Sequence, residues 1–179
     1  MKYIFYFFIL LFPGCKAEES DSLFKDLKGK AEVEIYLQNY QLLDVPADIG
    51  DLQGVRKLYI AKDSLRGWTM YPPLSALGGD EVSGRSGQLP DEITRLTSLR
   101  NLSLVNIGLV TLPEHLGRLQ NLDTLILFMN KLTISSELEK LKQLKQLKYL
   151  GLLGNMVTAD DLKQLKEAIP GVEINPDLR

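Results

Sequence analysis

The chain has 179 residues, 45% of them hydrophobic and 25% charged, which fits a single globular or repeat domain built on one core. Its 21 basic and 23 acidic residues nearly balance, for a formal net charge of −2, and no basic run interleaves with aromatics, so the composition argues against a nucleic-acid partner. Cys15 is the single cysteine, which excludes an intrachain disulfide, a paired-cysteine zinc site and a redox dithiol.

Lys2 precedes an unbroken apolar run from Tyr3 to Phe12, the anatomy of a signal peptide and too short for a membrane-spanning helix of about 20 apolar residues. Phe12-Pro-Gly-Cys15 follows. A cysteine preceded by glycine at this point resembles a bacterial lipobox, which would make Cys15 a lipidation site and the first mature residue. Phe12 and Pro13 depart from the usual leucine and small residue, so ordinary cleavage after Ala17 stays open as the second reading. Residues 1–17 are read as the leader, and 18–31 as a tether and N-terminal cap. A lipidated chain would be exported to the cell envelope and touch membrane only through acyl chains worth about 0.8 kcal/mol per buried methylene. Without lipidation it would be secreted.

Leu23, Phe24 and Leu27 fall at helical spacing behind Ser20, Asp21 or Ser22, which predicts a short helix over 22–28 that lids the first repeat. From Glu32, residues Ile35, Leu37, Leu42, Val45-Pro46, Ile49 and Leu52 set up a pattern, and Val55, Leu58, Ile60 and Leu65 repeat it. Over 66–88 the phase is lost in turn-forming sequence around Trp68 and Gly78-Gly79. Two readings stand: a degenerate repeat with a weak strand near Asp80 to Val82, or a loop inserted into one repeat. The degenerate repeat is favoured, because phase returns at Leu89-Pro90 and a bare loop of that length is uncommon inside a compact domain.

The clearest copies follow. Leu99, Leu102, Leu104 and Leu109 return as Leu122, Leu125, Leu127 and Leu132, so leucine stands at 1, 4, 6 and 11 of a unit of about 23 residues. That spacing cannot lie on one helical face but suits a short strand and a tight turn. Ser136-Glu-Leu-Glu139 reads as a capping box. Leu138, Leu141, Leu144 and Leu147 are three apart and spread round a helix, so the helix should stop near Gln146 and Leu147–Leu152 form the next strand, followed by Asn155 and Val157. A last helix over Ala159–Ile169, capped by Thr158 or Asp160 and stopped by Pro170-Gly171, precedes a strand at Val172–Ile174 and a tail at 175–179.

From about Glu32 to Ile174 the chain resembles the leucine-rich repeat family, whose consensus is Leu-x-x-Leu-x-Leu-x-x-Asn-x-Leu. Leu-Pro-x-x-Ile/Leu-x-x-Leu endings at Leu89, Leu112 and, led by valine, Val45 add to the likeness. It implies an α/β solenoid: a right-handed curved stack with a parallel sheet on the concave face and short helices and turns on the convex face. It also implies asparagines that bond the backbone of adjacent turns. Asn130 and Asn155 match, Asp63 nearly matches, and Tyr40 and Ile107 depart, so the first and middle repeats should be less regular.

Candidate chemistry is sparse. His115, the single histidine, has no partner nucleophile or metal ligand that the sequence brings to it, and reads as exposed and inert. Gly78-Gly-Asp-Glu-Val82 resembles the diguanylate cyclase signature but lacks its phenylalanine and the larger domain, and it lacks the lysine of a phosphate-binding loop. Asp160-Asp161 suits the first turn of a helix better than a metal site. No catalytic group, cofactor or metal is expected.

Strand alternation sends the leucines inward and the residues between them outward. Glu34, Tyr36 and Gln38 lead, with Glu34 free to pair with Lys57. Tyr59 and Ala61 follow, then Asn101, Ser103 and Val105, then Thr124, Ile126 and Phe128, then Tyr149, Gly151 and Leu153. Val105, Phe128 and Leu153 should form one row beside Ile126 and Tyr149. Such a face suits a protein or peptide partner held by Tyr36, Tyr59, Asn101, Ser103, Val105, Thr124, Ile126, Phe128, Tyr149 and Leu153. The competing readings are cover by the Trp68 segment, and a structural or adhesive envelope protein that self-associates or contacts host surfaces. Mass spectrometry of the mature N-terminus is expected to find an acylated Cys15; an unmodified start at Glu18 excludes the lipid anchor.

Overall fold

A computed structural model describes residues 22–64 and 87–176. The leader, Cys15 included, lies outside the described residues. Six strands, β1 (Glu32–Tyr36), β2 (Lys57–Ala61), β3 (Asn101–Val105), β4 (Thr124–Ile126), β5 (Tyr149–Gly151) and β6 (Glu173–Asn175), form one open sheet in chain order. Every neighbouring pair is parallel. Parallel neighbours need a crossover, and among the described residues the crossover elements pack against the inward leucines.

The opposite layer changes along the chain. Early repeats cross over through 3-10 turns at Ala47–Asp51, Asp91–Arg95 and Leu116–Arg118. The prolines of the Leu/Val-Pro pairs open all three: Ile49, Ile93 and Leu116 donate their amides to the carbonyls of Pro46, Pro90 and Pro113. A proline has no amide to lose at such a start, and its fixed φ suits the entry. Successive turns pack tightly enough that a Cβ added to Gly50 would lie 2.9 Å from the Glu92 carbonyl oxygen. Later repeats use α-helices, α1 (Ile134–Leu141) and α2 (Ala159–Ala168).

The core lies between these layers. Ile35, Ile60, Leu104, Leu127 and Leu152 present no surface to solvent, and neither do Ile49, Ile93, Leu116, Leu141 and Leu165 from the opposite layer. Each fully buried aliphatic contributes about 1.5–3 kcal/mol, against about 1–2 kcal/mol of backbone entropy for every residue ordered. One repeat alone falls short, and stacking supplies the rest through shared ladders and a continuous core.

Several expectations need correction. The predicted helix over 22–28 is a single 3-10 turn at Lys25–Leu27, and the lid centres on Phe24, which is buried with its ring edge-on to Tyr40 at a centroid distance of 5.3 Å while Leu27 packs against the core beside it. Tyr40, where the repeat calls for asparagine, is thus part of the N-terminal cap. The degenerate repeat is overturned because β2 and β3 share a five-residue parallel register from Lys57↔Asn101 to Ala61↔Val105, leaving no place for a strand between them. The 44-residue step between those strands, against 23 from Asn101 to Thr124, makes the irregular stretch an insertion within one repeat. The weak strand expected at Asp80–Val82 lies outside the described residues.

The capping box at Ser136–Glu139 is also overturned. α1 begins at Ile134 behind Thr133, with no side-chain cap, and ends at Leu141 rather than near Gln146. Glu137 stays inside, 3% exposed, because partners await it there: Thr111 Oγ1 donates to its Oε1 at 2.9 Å and the Leu112 amide to its Oε2 at 3.0 Å. Lys140 completes the network, 3.2 Å from Glu137 Oε2 and donating at 2.8 Å to both Thr111 Oγ1 and the Leu112 carbonyl. By contrast, Thr158 caps α2 as expected, accepting from the Asp161 amide at 3.1 Å while Asp161 accepts from the Thr158 amide.

Asn130 and Asn155 are buried behind the sheet. Asn130 Oδ1 accepts from the amides of Ile107 and Leu109, and its Nδ2 donates toward the carbonyls of Leu104, Leu127 and Phe128. Asn155 accepts from Leu132 and donates to Leu127 and Leu152. Ile107, where the preceding asparagine would stand, is a buried core residue. Asn130→Leu leaves several buried backbone groups without partners at about 1–3 kcal/mol each. Urea unfolding should show a loss of about 3 kcal/mol, larger than for Asn155→Leu; equal small losses would mean water or relaxation replaces the carboxamide.

Candidate functional site: the outer face of the sheet

The strand register arranges the outward side chains in three rows. Glu32, Lys57, Asn101, Thr124, Tyr149 and Glu173 form the first. Glu34, Tyr59, Ser103, Ile126, Gly151 and Asn175 form the second. Tyr36, Ala61 and Val105 begin the third, and the same register carried two residues past Ile126↔Gly151 continues it through Phe128 and Leu153. The expected row of Val105, Phe128 and Leu153 therefore exists in register.

Its exposure differs from expectation at one end. Val105 is 5% exposed and Ala61 1%, so neither offers open surface, whereas Phe128 is half-buried and Leu153 is 41% exposed. Alternation fixes which side of the sheet a residue takes but not what covers it. Asn101, Ser103, Thr124, Ile126, Tyr149, Tyr36 and Tyr59 are half-buried on the outer face. Thr124 Oγ1 donates to Asp123 Oδ1 at 2.9 Å, and Asn175 Nδ2 donates to the Tyr149 hydroxyl at 3.2 Å.

Gly151 shapes the apolar end. A Cβ there would lie 2.6 Å from the Phe128 ring and 3.3 Å from the Tyr149 ring, so both aromatics lean into the gap that the missing side chain leaves. Phe128 and Tyr149, with Ile126 beside Gly151 in the ladder, form a continuous aromatic and aliphatic surface across β4 and β5. Interface cores prefer this mixture of aromatic area and few charges.

The β1–β2 end is different. Tyr36 and Tyr59 meet edge-on at a centroid distance of 5.9 Å, and the Tyr36 hydroxyl donates to Glu34 Oε2 at 3.2 Å. Burial pushes the Tyr59 hydroxyl above the usual tyrosine range, with Tyr36, Glu34 and Asp63 adding to the shift. Lys57 pairs with Glu32 at 2.7 Å, not with Glu34 as expected. Directly paired register neighbours are the closer ones on a strand face, and Lys57 lies opposite Glu32. Glu32, Glu173 and Asn175 were not among the site candidates. The alternation of Val172-Glu-Ile174 points Glu173 outward, and Glu32 precedes Glu34 by two, so both could have been found.

On the opposite side, a groove of about 520 Å³ is bordered by Leu89, Pro90, Asp91, Pro113, Glu114 and Lys140. Lys140 is committed to Glu137, Thr111 and Leu112, so its ammonium holds the crossover layer together. Nearby, His115 gains a partner that the sequence did not suggest: its Nδ1 is hydrogen-bonded to Asp91 Oδ2, one repeat earlier. Among the described residues there is no group of three His, Cys, Asp or Glu side chains able to hold a metal, and no helix is long and apolar enough to cross a membrane.

The hydrogen bond from His115 holds the Asp91 carboxyl below its ordinary value of 3.8. A carboxylate whose folded value is lowered adds stability above its unfolded value and loses it as pH falls through the folded one. The contribution of Asp91 is therefore present above about pH 4 and is lost on further acidification. Asp91→Asn should flatten the acid limb of the urea-midpoint profile below pH 4; an unchanged limb would mean that the pair is solvent-screened to nothing.

No family model matches the chain, and no curated protein sequence matches it. Among solved structures, it is similar to a leucine-rich repeat protein of Leptospira interrogans, with 25% identity and a TM-score of 0.54 over 73% of this chain and 28% of that one. The chain thus spans little more than a quarter of that protein's length. With the parallel sheet in chain order, this makes the fold a leucine-rich-repeat-like solenoid.

Proposed function

We propose that the chain is an exported binding module, lipid-anchored at Cys15, that holds a protein or peptide partner across the outer face of its sheet. The observation that carries this reading is the partly exposed surface of Ile126, Phe128, Tyr149 and Leu153, on or just past β4 and β5 and set around Gly151. The likeness to a leucine-rich repeat protein supports an interaction scaffold in general terms. Asn101, Ser103 and Thr124 provide hydrogen-bonding groups along the middle strands, and Tyr36 and Tyr59 extend the face toward β1. Val105 is left out of the contact set because it is buried. This function needs no catalysis: the face offers area and shape.

Ile126→Ser with Phe128→Ser removes the apolar centre of this face. Both side chains point away from the core, so the fold should lose only about 1–2 kcal/mol. Capture of the natural partner should weaken by about 30-fold or more, the scale of a lost interface hot spot. Unchanged capture by a variant with wild-type circular dichroism would overturn the reading.

A further inference from the structure

The outer face is electrically lopsided in a way that its leucine-rich framework does not require. Its three rows contain three glutamates, Glu32, Glu34 and Glu173, and a single lysine, Lys57, already paired with Glu32. Two glutamates stand at the β1 end, and Glu34 lies opposite Tyr59 in the register. Tyr36 and Tyr59 lie on neighbouring strands in diagonal positions of the register, 5.9 Å apart with their planes at 61°, so that they present a ring face and a ring edge at a corner. The Tyr36 hydroxyl holds Glu34 at this corner, and Asp63, in the turn after β2, is near enough to bear on the Tyr59 hydroxyl.

Aromatic faces carry negative quadrupole density, and a carboxylate within reach adds full charge. An acidic group placed here is repelled by both, and a neutral one lacks the charge that either would attract. A guanidinium gains from both, since it can stack on a ring while donating to a carboxylate. The opposite end of the face has one acid, Glu173 beside Tyr149, but no tyrosine pair around it.

We propose that the Tyr36–Tyr59 corner, with Glu34, is a subsite for the cationic side chain of an arginine or lysine in the partner. The occupant of the outer face is then a basic protein segment, its cation at β1–β2 and its apolar residues over β4–β5. This rests on the reading of the outer face as a binding surface, and adds the chemistry of what it binds.

The test uses the full chain labelled with nitrogen-15, titrated with acetyl-Leu-Arg-Leu-amide and with its citrulline counterpart, which keeps the shape and removes the charge. The arginine peptide should move the amides of Tyr36, Tyr59 and Asp63 and bind about two- to fivefold more tightly than the citrulline peptide, the scale of an exposed cation–aromatic contact. Glu34→Gln, a change at an exposed side chain, should narrow the gap between the two peptides, Tyr59→Leu should narrow it with Glu34 intact, and the double variant should close it. Equal affinities for the two peptides, or arginine-dependent shifts confined to other residues, overturn the subsite. Equal affinities with shifts at Ile126 and Phe128 overturn the cation preference while leaving the binding surface standing, whereas partner capture that survives the Ile126/Phe128 double substitution overturns the surface itself.

Discussion

Five backbone groups converge on the carboxamide of Asn130, and the return of the chain from sheet to crossover layer depends on that convergence. A parallel strand of three to five residues must be left abruptly if the next strand is to begin about two dozen residues later, and leaving it abandons amides and carbonyls in a place that water does not reach. Asn130 answers amides from the preceding repeat and carbonyls from both repeats with one side chain. Asn155 does the same for the next turn with fewer partners. Removing water from these groups is affordable only where such a partner exists.

Where the asparagine is missing, other devices close the turn. Tyr40 joins Phe24 in an aromatic cap over the first repeat, and Ile107 is packed as core while its amide goes to Asn130 one repeat on. On the crossover side, buried Glu137 paired with half-buried Lys140 plays a similar part for Thr111 and Leu112. A buried ion pair rarely adds much net stability against an apolar alternative, since desolvation offsets attraction. Here the carboxylate also satisfies a backbone amide and the ammonium a backbone carbonyl, which gives the pair a specific register to enforce between α1 and the repeat before it.

The strands were legible because two independent demands coincide on the same residues. Leucine at 1, 4 and 6 both fills the core and sets the period-two alternation, so Leu102, Leu104, Leu125 and Leu127 announce burial and strand together. The crossover side was harder to read. Glu137 and Glu139 are equally polar in sequence, and only the position of Thr111 and Leu112, some 25 residues away, decides that Glu137 turns inward. The irregular stretch misled for a related reason: a step of 44 residues is close to two repeats, and length alone cannot distinguish an added repeat from an insertion. The ladder between β2 and β3 can. On the outer face, alternation placed the candidate residues in their rows, while the burial of Val105 and the pairing of Lys57 with Glu32 depend on neighbours that a single strand does not specify.

The inner and outer rows of the sheet are therefore under different constraints. Inward positions are restricted to aliphatics of nearly constant size, since packing density in the core penalises even one methylene. Outward positions carry no such restriction, yet they are not filled at random: acids and tyrosines gather over β1 and β2, neutral polar groups over β3, and aromatics and aliphatics over β4 and β5. Gly151 is the most telling of them. It ends β5, and a glycine in a strand adds no area of its own, so stability gives no reason for it. Its absent side chain leaves the gap into which the Phe128 and Tyr149 rings both lean, and the resulting surface is of a shape that the core neither needs nor uses.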